Sequence, residues 1–506
     1  MKTVTTLKEL VYYADETYQN QPFIRELVHR KIQEKNFHEF RQDCDSLACW
    51  IQKQFPDTRT HLALIGSTGY AYLVTWLGIQ CGNHVSVPLD VSNNAERIAD
   101  EINRSDSEVV FLDDRHVADL EIFKKLCPKV KFYIHLHHAQ ENMLYLGDLI
   151  AEYAGQLPID NPKAQDLAAI LFTSGTTGQS KGVMLSHANL IDNTTCEPNQ
   201  DFGKNIRLTV LPIHHIFCLT CDILCSLWFG RIVCVNDSLM RIVKNLKIFQ
   251  PNVVSFVPMI AVSILNRMQQ MAEKNPDKIA IGKEVYGENF DIIYTGGAYL
   301  SPEVIDGYRE FGIEIAQGYG MTECSPRICT GIKNCPKPDS VGKIVPGCEV
   351  RIAEDGEVWV KSKSVMMGYY HNPEETVKTL TEDGWLKTGD LGHQEDGFLY
   401  LTGRKKNLII LSNGENVSPE ELENQFAYFP PVKEIVVYEQ EQQITAEVFP
   451  NQDYESDNIQ AEIQAKIDSV NETFPPAKRI VKLVIRETEF PKTASKKIIR
   501  ADIHKI

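Results

Sequence analysis

A segment rich in glycine and hydroxyl side chains, between residues 173 and 182, carries the strongest local signal for chemistry. Its sequence is Thr173-Ser174-Gly175-Thr176-Thr177-Gly178-Gln179-Ser180-Lys181-Gly182. Glycines let backbone N–H groups converge without side-chain clashes, hydroxyls donate to phosphate oxygens, and the lysine adds positive charge. The segment therefore predicts a polyphosphate-binding loop, with an ordinary surface loop as the alternative. Its spacing differs from the G-x-x-x-x-G-K-[ST] of a Walker A loop.

A buried strand leads directly into this loop, because residues 167–172 are apolar without interruption. Similar short apolar runs occur at residues 61–66, 109–112, 253–257 and 292–294, and residues 95–103 have a helical pattern. Alternation of such strands with helices is typical of a parallel sheet covered by helices. The sequence therefore predicts an α/β fold in which strand ends present the loops.

The sequence changes in character after residue 347. Short strand-like segments at 349–352 and 357–360 are accompanied by Asp-Gly turns at residues 355–356, 383–384 and 396–397, which predicts a small β-rich module. The segment Gly403-Arg404-Lys405-Lys406-Asn407 separates this module from a last part of mixed helix and strand. We therefore predict a large N-terminal domain, residues 1–403, and a small α+β domain, residues 404–506.

Composition narrows the classes of function. The formal net charge of −16 argues against general binding of nucleic acid or of an anionic membrane surface. Thirteen cysteines without a signal peptide at the start favour reduced thiols and a cytoplasmic protein. The apolar run 216–229 is too short and too polar to span a bilayer, which takes about 20 apolar residues, so we expect a core helix and not an integral membrane protein.

Two small clusters of possible metal ligands are interpreted as structural. Cys218 and Cys221 form an isolated C-x-x-C within the apolar run, typical of buried small side chains on a helix. His135, His137 and His138 lie in a strand-like stretch without a carboxylate or cysteine partner at ligand spacing. We expect no metal at either cluster.

Several motifs in a fixed order resemble the adenylate-forming superfamily of acyl-CoA synthetases, luciferases and non-ribosomal peptide adenylation domains. The resemblance covers essentially the whole chain and is closest to fatty-acid-activating AMP-forming ligases. Besides the phosphate loop, it rests on Leu211-Pro212-Ile213-His214-His215-Ile216-Phe217, Thr295-Gly296-Gly297-Ala298, Gln317-Gly318-Tyr319-Gly320-Met321-Thr322-Glu323, Gly384-Trp385-Leu386-Lys387-Thr388-Gly389-Asp390, Gly403-Arg404-Lys405-Lys406, Ser412-Asn413-Gly414 and Pro491-Lys492-Thr493-Ala494-Ser495-Lys496-Lys497.

The resemblance implies a reaction in two steps, with a mobile C-terminal domain. A carboxylic acid, expected to be a fatty acid, reacts with ATP and Mg²⁺ to give acyl-AMP and pyrophosphate, and the acyl group then passes to the thiol of CoA. The implied catalytic residues are Lys497, Thr322, Glu323 and His215, with Glu323 as the metal ligand. The implied nucleotide- and thiol-binding residues are Thr173, Ser174, Gly175, Thr176, Thr177, Gly178, Lys181, Gly297, Ala298, Gly318, Tyr319, Gly320, Asp390, Arg404, Lys406 and Gly414.

Each implied role makes physical sense. The Tyr319 ring can stack on adenine, Thr322 can hold the α-phosphate, and Glu323 offers the hard oxygen ligands that Mg²⁺ prefers. Asp390 can accept both ribose hydroxyls, and Arg404 would support it from the domain boundary.

The C-terminal part would supply the remaining groups. A cation at Lys497 would offset the repulsion between carboxylate and ATP as they approach. Lys496 stands where the family usually has glycine, so the two lysines remain alternatives for this role. Lys406 matches the hinge on which the small domain turns, and Gly414 belongs to the loop that would face the thiol tunnel.

The sequence says less about which acid is activated and which thiol accepts the acyl group. The resemblance places His215, Phe217, Cys218, Gly296, Gly297, Ala298 and Gly318 around the acyl group. Residues 216–219 include no aspartate to pair with a substrate ammonium, which favours a fatty or aryl acid over an amino acid. An acyl carrier protein bearing a phosphopantetheine arm is the alternative acceptor. A non-catalytic nucleotide-binding relative is disfavoured because Glu323, Asp390, Arg404 and Lys497 are all present.

Overall fold

The computed structural model describes residues 3–173, 180–196, 206–411, 415–492, 498–500 and 503. Within them the α-helices are α1 Leu7–Tyr18, α2 Phe37–Gln54, α3 Tyr70–Cys81, α4 Ala95–Arg104, α5 Leu120–Leu126, α6 Leu146–Glu152, α7 His187–Thr195, α8 Cys225–Phe229, α9 Ile242–Phe249, α10 Pro258–Ala272, α11 Lys278–Tyr286, α12 Pro302–Glu310, α13 Pro373–Thr379, α14 Pro419–Glu423 and α15 Ile459–Thr473.

The strands of the same residues are β1 Pro22–Val28, β2 Lys31–Asn36, β3 His61–Ile65, β4 Val85–Leu89, β5 Ser107–Leu112, β6 Phe132–His135, β7 Leu144–Tyr145, β8 Leu167–Thr173, β9 Lys181–Ser186, β10 Ile206–Thr209, β11 Ile232–Val235, β12 Val253–Phe256, β13 Ile292–Thr295, β14 Glu314–Gln317, β15 Tyr319–Gly320, β16 Arg327–Thr330, β17 Lys343–Ile344, β18 Glu349–Ile352, β19 Glu357–Lys361, β20 Gly368–Tyr369, β21 Leu386–Glu395, β22 Phe398–Arg404, β23 Ile409–Ile410, β24 Asn416–Val417, β25 Val432–Gln440, β26 Gln443–Pro450 and β27 Lys482–Ile485.

Two largely parallel sheets form the body of the protein. The first sheet has the order β20-β9-β8-β4-β3-β5-β6-β7, and the second has the order β14-β13-β12-β10-β11-β1-β2. Their central strands are buried, and the adjoining helices supply the rest of the two large apolar cores. Each predicted apolar run is a strand of one of these sheets, so the expected α/β fold is confirmed.

Helix α4 shows how the local sequence sets an element. Asn94 precedes the helix, and its side-chain oxygen accepts a hydrogen bond from the Arg97 N–H, which satisfies a donor at the helix start. Ile98, Ala99 and Ile102 recur at helical spacing and are buried against the first sheet. The predicted helix at 95–103 is confirmed, one residue longer than expected.

The β-rich module is a third, antiparallel sheet with the order β15-β16-β17-β22-β21-β19-β18. Two of the predicted Asp-Gly turns join its hairpins, at residues 355–356 and 396–397. Asp396 and Gly397 both have positive φ, 52° and 80°, the conformation that a two-residue hairpin turn requires. Asp390 and Arg404 are directly paired across β21 and β22, so this module holds two candidate site residues side by side.

The C-terminal part has its own core, in which α14, α15 and the strands β25-β26-β27 surround residues such as Val417, Ala446 and Ile463. Strand β22 runs through the predicted boundary and ends at Arg404. The Tyr428 hydroxyl donates to Gln269 Oε1 of α10 at 2.9 Å, one contact between this part and the large body. The division at 403/404 stays a prediction.

The apolar run 216–229 is helical, as expected, but most of it is not an α-helix. Residues Phe217–Leu224 form a π-helix that continues into α8, which ends at Phe229 and is capped by Gly230 with φ 67°. A π-helix adds a residue to a turn and occurs most often at functional sites.

Candidate active site

The carboxyl ends of the second sheet open into a cavity of about 2160 Å³. Its wall includes Val210 after β10, Val257 after β12, Gly296 after β13 and Gly318 after β14. Ligands of open α/β sheets bind at this edge, where the loops after parallel strands meet. Residues of the first sheet, the third sheet and the C-terminal part complete the wall, so all parts of the protein contribute to one site.

Asp390 lies at the centre of a polar group on one side of the cavity. Its Oδ2 accepts a hydrogen bond from the Tyr319 hydroxyl at 2.6 Å, and its Oδ1 lies 2.8 Å from Arg404 Nε. Burial raises the pKa of Asp390, and the Arg404 charge opposes that rise. The three residues that the sequence assigned to adenosine therefore meet, and the carboxylate is held by a phenol and a guanidinium.

Glu323 is the second acidic group of the site. It lies with Thr322 in a short 3₁₀-helix, Thr322–Cys324, and its Oε1 accepts a hydrogen bond from the Tyr369 hydroxyl at 2.9 Å. Its side chain is 9% exposed, and both Thr322 and Glu323 line the cavity. The nearly buried carboxylate offers hard oxygen ligands that suit Mg²⁺. The hydroxyl beside it can donate a hydrogen bond to a phosphate oxygen.

The backbone around these groups needs glycine at two positions. A Cβ at Gly320 would lie 2.1 Å from the Pro326 carbonyl oxygen, so only glycine lets these segments approach. Gly297 has φ 83°, in the left-handed region that other residues rarely adopt. Gly297, Gly318 and Gly320 line the cavity, whereas Ala298 is exposed and lies outside the described wall.

Only the two ends of the predicted polyphosphate-binding loop belong to the described residues. Thr173 ends β8 and Lys181 begins β9, paired antiparallel, and both line the cavity. Lys181 Nζ lies 2.5 Å from Glu375 Oε2 and 5.1 Å from the centre of the Tyr369 ring. Hydrogen bonds from Lys181 and Lys378 hold the pKa of Glu375 down at about 2. Ser174, Gly175, Thr176, Thr177 and Gly178 lie outside the described residues.

His215 is exposed at the cavity wall, beside His214, with 4.3 Å between ring centres. His214 Nε2 lies 3.6 Å from Asp90 Oδ1. Burial, with the neighbouring His215 charge, lowers the pKa of His214 to about 4, so this ring is neutral at pH 7. Both rings line the cavity, and His215 is the more exposed of the two.

The C-terminal part reaches the cavity through two segments. Lys406 lies on a 3₁₀-helix, Lys405–Asn407, while Ile498 and Arg500 contribute from the end of the chain. Lys405 lies 2.9 Å from Glu357 Oε2, which ties this segment to β19. The predicted residues Lys496, Lys497 and Gly414 fall outside the described part of the chain, although the immediate neighbour of Lys497 lines the cavity.

The acyl side of the cavity differs from the expectation at one position. Phe217 and Gly296 line it as predicted, but Cys218 is fully buried and Cys221 contributes in its place. Helix geometry accounts for this difference, because residues four positions apart, such as Phe217 and Cys221, lie on the same face of a helix, whereas the adjacent Cys218 points elsewhere.

The sequence analysis did not predict the polar residues on the acyl side of the cavity. Arg207, Ser255 and Tyr294 line the cavity, and Asp222 pairs with Arg207 behind them. These residues come from three strands and the π-helix, so no contiguous motif marks them. Only the strand pattern itself, with polar residues in otherwise apolar strands, could have indicated them.

The histidine cluster on β6 has a carboxylate neighbour that its sequence spacing did not show. Asp114 Oδ1 lies 3.5 Å from His135 Nε2 and 3.2 Å from His138 Nε2. The Nδ1 atom of His135 accepts hydrogen bonds from the backbone N–H groups of His137 and His138. In the neutral ring the proton therefore sits on Nε2, on the side of Asp114, although Nε2 makes no hydrogen bond.

Comparisons with known proteins agree with this site. The sequence pattern of the family described as "AMP-binding enzyme" matches residues 14–370, and that of the "AMP-binding enzyme C-terminal domain" matches residues 406–506. A long-chain-fatty-acid–CoA ligase of Mycobacterium bovis is 28% identical over 428 residues, which cover 74% of this chain and 70% of that protein.

Solved structures share the whole fold. An anthranilate CoA ligase in complex with anthranoyl-AMP superposes with a TM-score of 0.86 at 17% identity, covering 100% of this chain and 98% of that one. The O-succinylbenzoate coenzyme A synthetase of Bacillus subtilis, in complex with ATP and a magnesium ion, gives a TM-score of 0.78 at 21% identity, covering 98% and 99%.

The chain therefore belongs to the AMP-binding enzyme family and is an AMP-forming ligase of the acyl-CoA synthetase type. A search of the described helices for a segment long and apolar enough to cross a membrane found none.

Proposed function

We propose that the enzyme activates a fatty or aryl carboxylic acid as acyl-AMP with release of pyrophosphate and then transfers the acyl group to CoA. The observation that carries this proposal is the convergence of Tyr319, Arg404 and Glu323 on one cavity that also has an apolar side, with Phe217 and Val257. Asp390 lies behind Tyr319 and Arg404 and contacts both. A nucleotide and an acid could therefore lie together. The names of the CoA ligases similar to this chain support the choice of acceptor.

In the first half-reaction the acid carboxylate must attack the α-phosphate of ATP. Asp390 and Tyr319 would hold the ribose and adenine, while Thr322 would donate to the α-phosphate. Glu323 would hold Mg²⁺, which supplies positive charge beside the phosphates when bound. Lys497 would stand between the two anions, a role that the cavity position of its neighbour Ile498 supports.

In the second half-reaction a thiol must reach the acyl-adenylate. We assign the hinge for the domain movement to Lys406 and the thiol-side loop to Gly414.

All thirteen cysteines lie in the described residues and none forms a disulfide, which supports a reducing compartment such as the cytoplasm.

The experiment separates the two half-reactions. Lys497→Ala should slow acyl-adenylate formation by about 10²-fold, because about 3 kcal/mol of charge stabilisation is lost, while thioester formation from presynthesised acyl-adenylate should continue. Lys496→Ala is the matched control. A larger loss in the control would move the role to Lys496.

The acceptor is tested with the same adenylate. Free CoA at sub-millimolar concentration should consume it rapidly, and Gly414→Leu should block this step while acid-dependent pyrophosphate exchange continues. Slow turnover with CoA but rapid acylation of a phosphopantetheinylated carrier protein would replace CoA by the carrier protein.

A further inference from the structure

Helix α7 carries two buried asparagines one turn apart, Asn189 and Asn193, and both lie outside the described cavity wall. Residues four positions apart share one face of a helix, so the two amides belong to the same side of α7. The helix follows directly from β9, which begins with Lys181 at the end of the predicted polyphosphate-binding loop. The contacts of these amides therefore show what α7 connects to that loop.

Asn193 bonds the backbone on both sides of the turn that follows Glu323. Its Nδ2 donates to the carbonyl oxygens of Cys324 and Arg327, each at 3.0 Å, and its Oδ1 accepts from the Arg327 backbone N–H at 3.1 Å. A side-chain amide has two N–H donors and one acceptor oxygen, so both ends of this group are used. The chain on either side of the turn is thus held by one side chain that is 0% exposed.

The turn itself has a conformation that depends on such contacts. Ser325 has φ 66°, in the left-handed region that a residue other than glycine adopts only at a cost and where surrounding contacts hold it. Its hydroxyl donates to the Ser364 carbonyl oxygen at 2.8 Å, and Asn193 bonds the residues before and after it. The contacts that hold Ser325 therefore also fix the backbone of Glu323, two positions earlier.

Asn189 holds the second segment that contacts Glu323. Its Nδ2 donates to the carbonyl oxygens of Lys363 and Val365, at 2.7 and 2.8 Å. Met366 comes next in the chain, and its N–H donates to the Glu323 carbonyl oxygen at 2.9 Å. The two asparagines of α7 thus hold Glu323 through both of the segments around it.

We propose that Asn193 and Asn189 are positioning residues for the binding of Mg²⁺ and ATP, because together they fix the place of the Glu323 carboxylate. The inference rests on the proposed role of Glu323 as the metal ligand. Loss of a group that orients a metal ligand commonly lowers metal affinity about 10- to 100-fold. Since α7 continues from β9, the same helix also sets the distance between Lys181 and Glu323.

The variant Asn193→Asp tests this with little change of shape. It keeps the acceptor oxygen but replaces the donor by a second oxygen, so the carbonyl groups of Cys324 and Arg327 lose their partner. The Arg327 side chain, whose Nε lies 3.4 Å from Asn193 Oδ1, would compensate the new charge, so the variant should fold.

The measurement is calorimetric titration with the α,β-methylene analogue of ATP, whose α–β phosphate linkage cannot be cleaved. With saturating Mg²⁺, Asn193→Asp should raise Kd about tenfold. With a chelator in place of Mg²⁺, the wild type and the variant should agree within about twofold, because the lost contact acts through the metal ligand. An equal rise under both conditions would overturn the inference, since it would show a general distortion of the site.

Asn252→Asp is the matched control. Asn252 is also buried, and its amide also bridges two backbone groups: Oδ1 accepts from the Ile206 N–H at 2.9 Å, and Nδ2 donates to the Asn289 carbonyl oxygen at 2.8 Å. It immediately precedes β12, at the edge of the second sheet opposite the cavity. This variant should keep the wild-type Kd with Mg²⁺, and a tenfold rise here would contradict a specific role for Asn193.

A double-variant cycle shows whether Asn193 acts through Glu323. In the Glu323→Gln background, Asn193→Asp should change Kd by less than about twofold, because coupled residues are not additive. A full tenfold effect in that background would contradict the inference.

Two further results keep the test decisive. If Asn193→Asp does not fold, Asn189→Asp, which keeps the oxygen that caps α7, should raise Kd with Mg²⁺ severalfold, and an unchanged Kd counts against the inference. If Glu323→Gln leaves Kd with Mg²⁺ unchanged, the proposed metal role of Glu323 is wrong. If Glu323→Gln raises Kd and the asparagine variants do not, only the positioning role is wrong.

Discussion

The two sides of the cavity are built in different ways. On the nucleotide side, each acidic group has few side-chain contacts: Asp390 contacts Tyr319 and Arg404, and Glu323 contacts Tyr369. On the acyl side, Asp222 belongs to a closed network of four side chains from two strands and the π-helix.

This difference separates groups that are free to bind from groups that shape a surface. Glu323 keeps oxygen lone pairs available at the cavity wall, because a carboxylate accepts about four hydrogen bonds and only one donor, Tyr369, bonds this side chain in the described contacts. Asp222 is enclosed behind Arg207. Glu323 is therefore available to a ligand, whereas Asp222 is occupied by the side chains around it.

The largest effect should follow from removing charge on the nucleotide side. Glu323→Gln should reduce acid-dependent pyrophosphate exchange by about 10²-fold or more, because the neutral amide is a poor Mg²⁺ ligand. Tyr369→Phe, which removes only the hydrogen bond at 2.9 Å, is the control and should cost less. If the two variants lose equal activity, Glu323 acts through its contact with Tyr369 and not as a ligand.

A smaller effect should appear in the pH dependence of the protein's stability, through two buried histidines beside the first sheet. Burial lowers the pKa of His187 to about 3 and that of His84 to about 4. Between the ordinary histidine pKa and these values the unfolded chain binds more protons than the folded one, so stability falls as the pH falls from about 6.5 toward 4.

A substitution of His187 tests whether its burial causes this loss of stability at low pH. From pH 6 to pH 5 each of these histidines should account for about 1 kcal/mol of the loss, and His187→Gln should reduce the fall of the thermal midpoint over that range. The exposed His393→Gln is the matched control. Equal pH slopes for both variants would contradict the assigned cause, whatever their stability at pH 7.

The smallest effect concerns Lys181, which Glu375 holds at 2.5 Å beside the polyphosphate-binding loop. ATP must compete with this ion pair for the lysine, so Glu375→Gln should lower KM for ATP a few-fold, since a partly exposed pair is worth about 1 kcal/mol or less. The neighbouring exposed Glu374→Gln should leave KM unchanged. A rise in KM for Glu375→Gln would show that the pair positions Lys181 for ATP.

The contrast also explains how far the sequence could predict the site. Arg404, Thr322 and Glu323 lie in short motifs that resemble those of a known family, so their place at one cavity could be expected from the sequence. Asp390, from the same set of motifs, lies just behind the wall and contacts Arg404. The strands could be expected too, because uninterrupted apolar runs such as 167–172 have few alternatives in a buried sheet.

The site features that the sequence could not predict depend on packing between residues far apart in the chain. Arg207, Asp222 and Ser255 are brought together by strand register and by a π-helix, and neither leaves a contiguous pattern. Asp114 reaches His135 because β5 and β6 are adjacent strands, although 21 positions separate the two residues in the sequence. Cys221 lines the cavity instead of Cys218 because Cys221, four positions after Phe217, shares its face of the helix.

The central claim is that one cavity brings an acid carboxylate and ATP together, and ATP–pyrophosphate exchange with a panel of fatty, aryl and amino acids tests it most directly. With Mg²⁺ present, the account predicts exchange that requires a fatty or aryl acid and that Glu323→Gln suppresses. Exchange driven only by amino acids would contradict the assignment of the acyl side. No exchange with any acid in the panel would contradict the enzyme's proposed reaction.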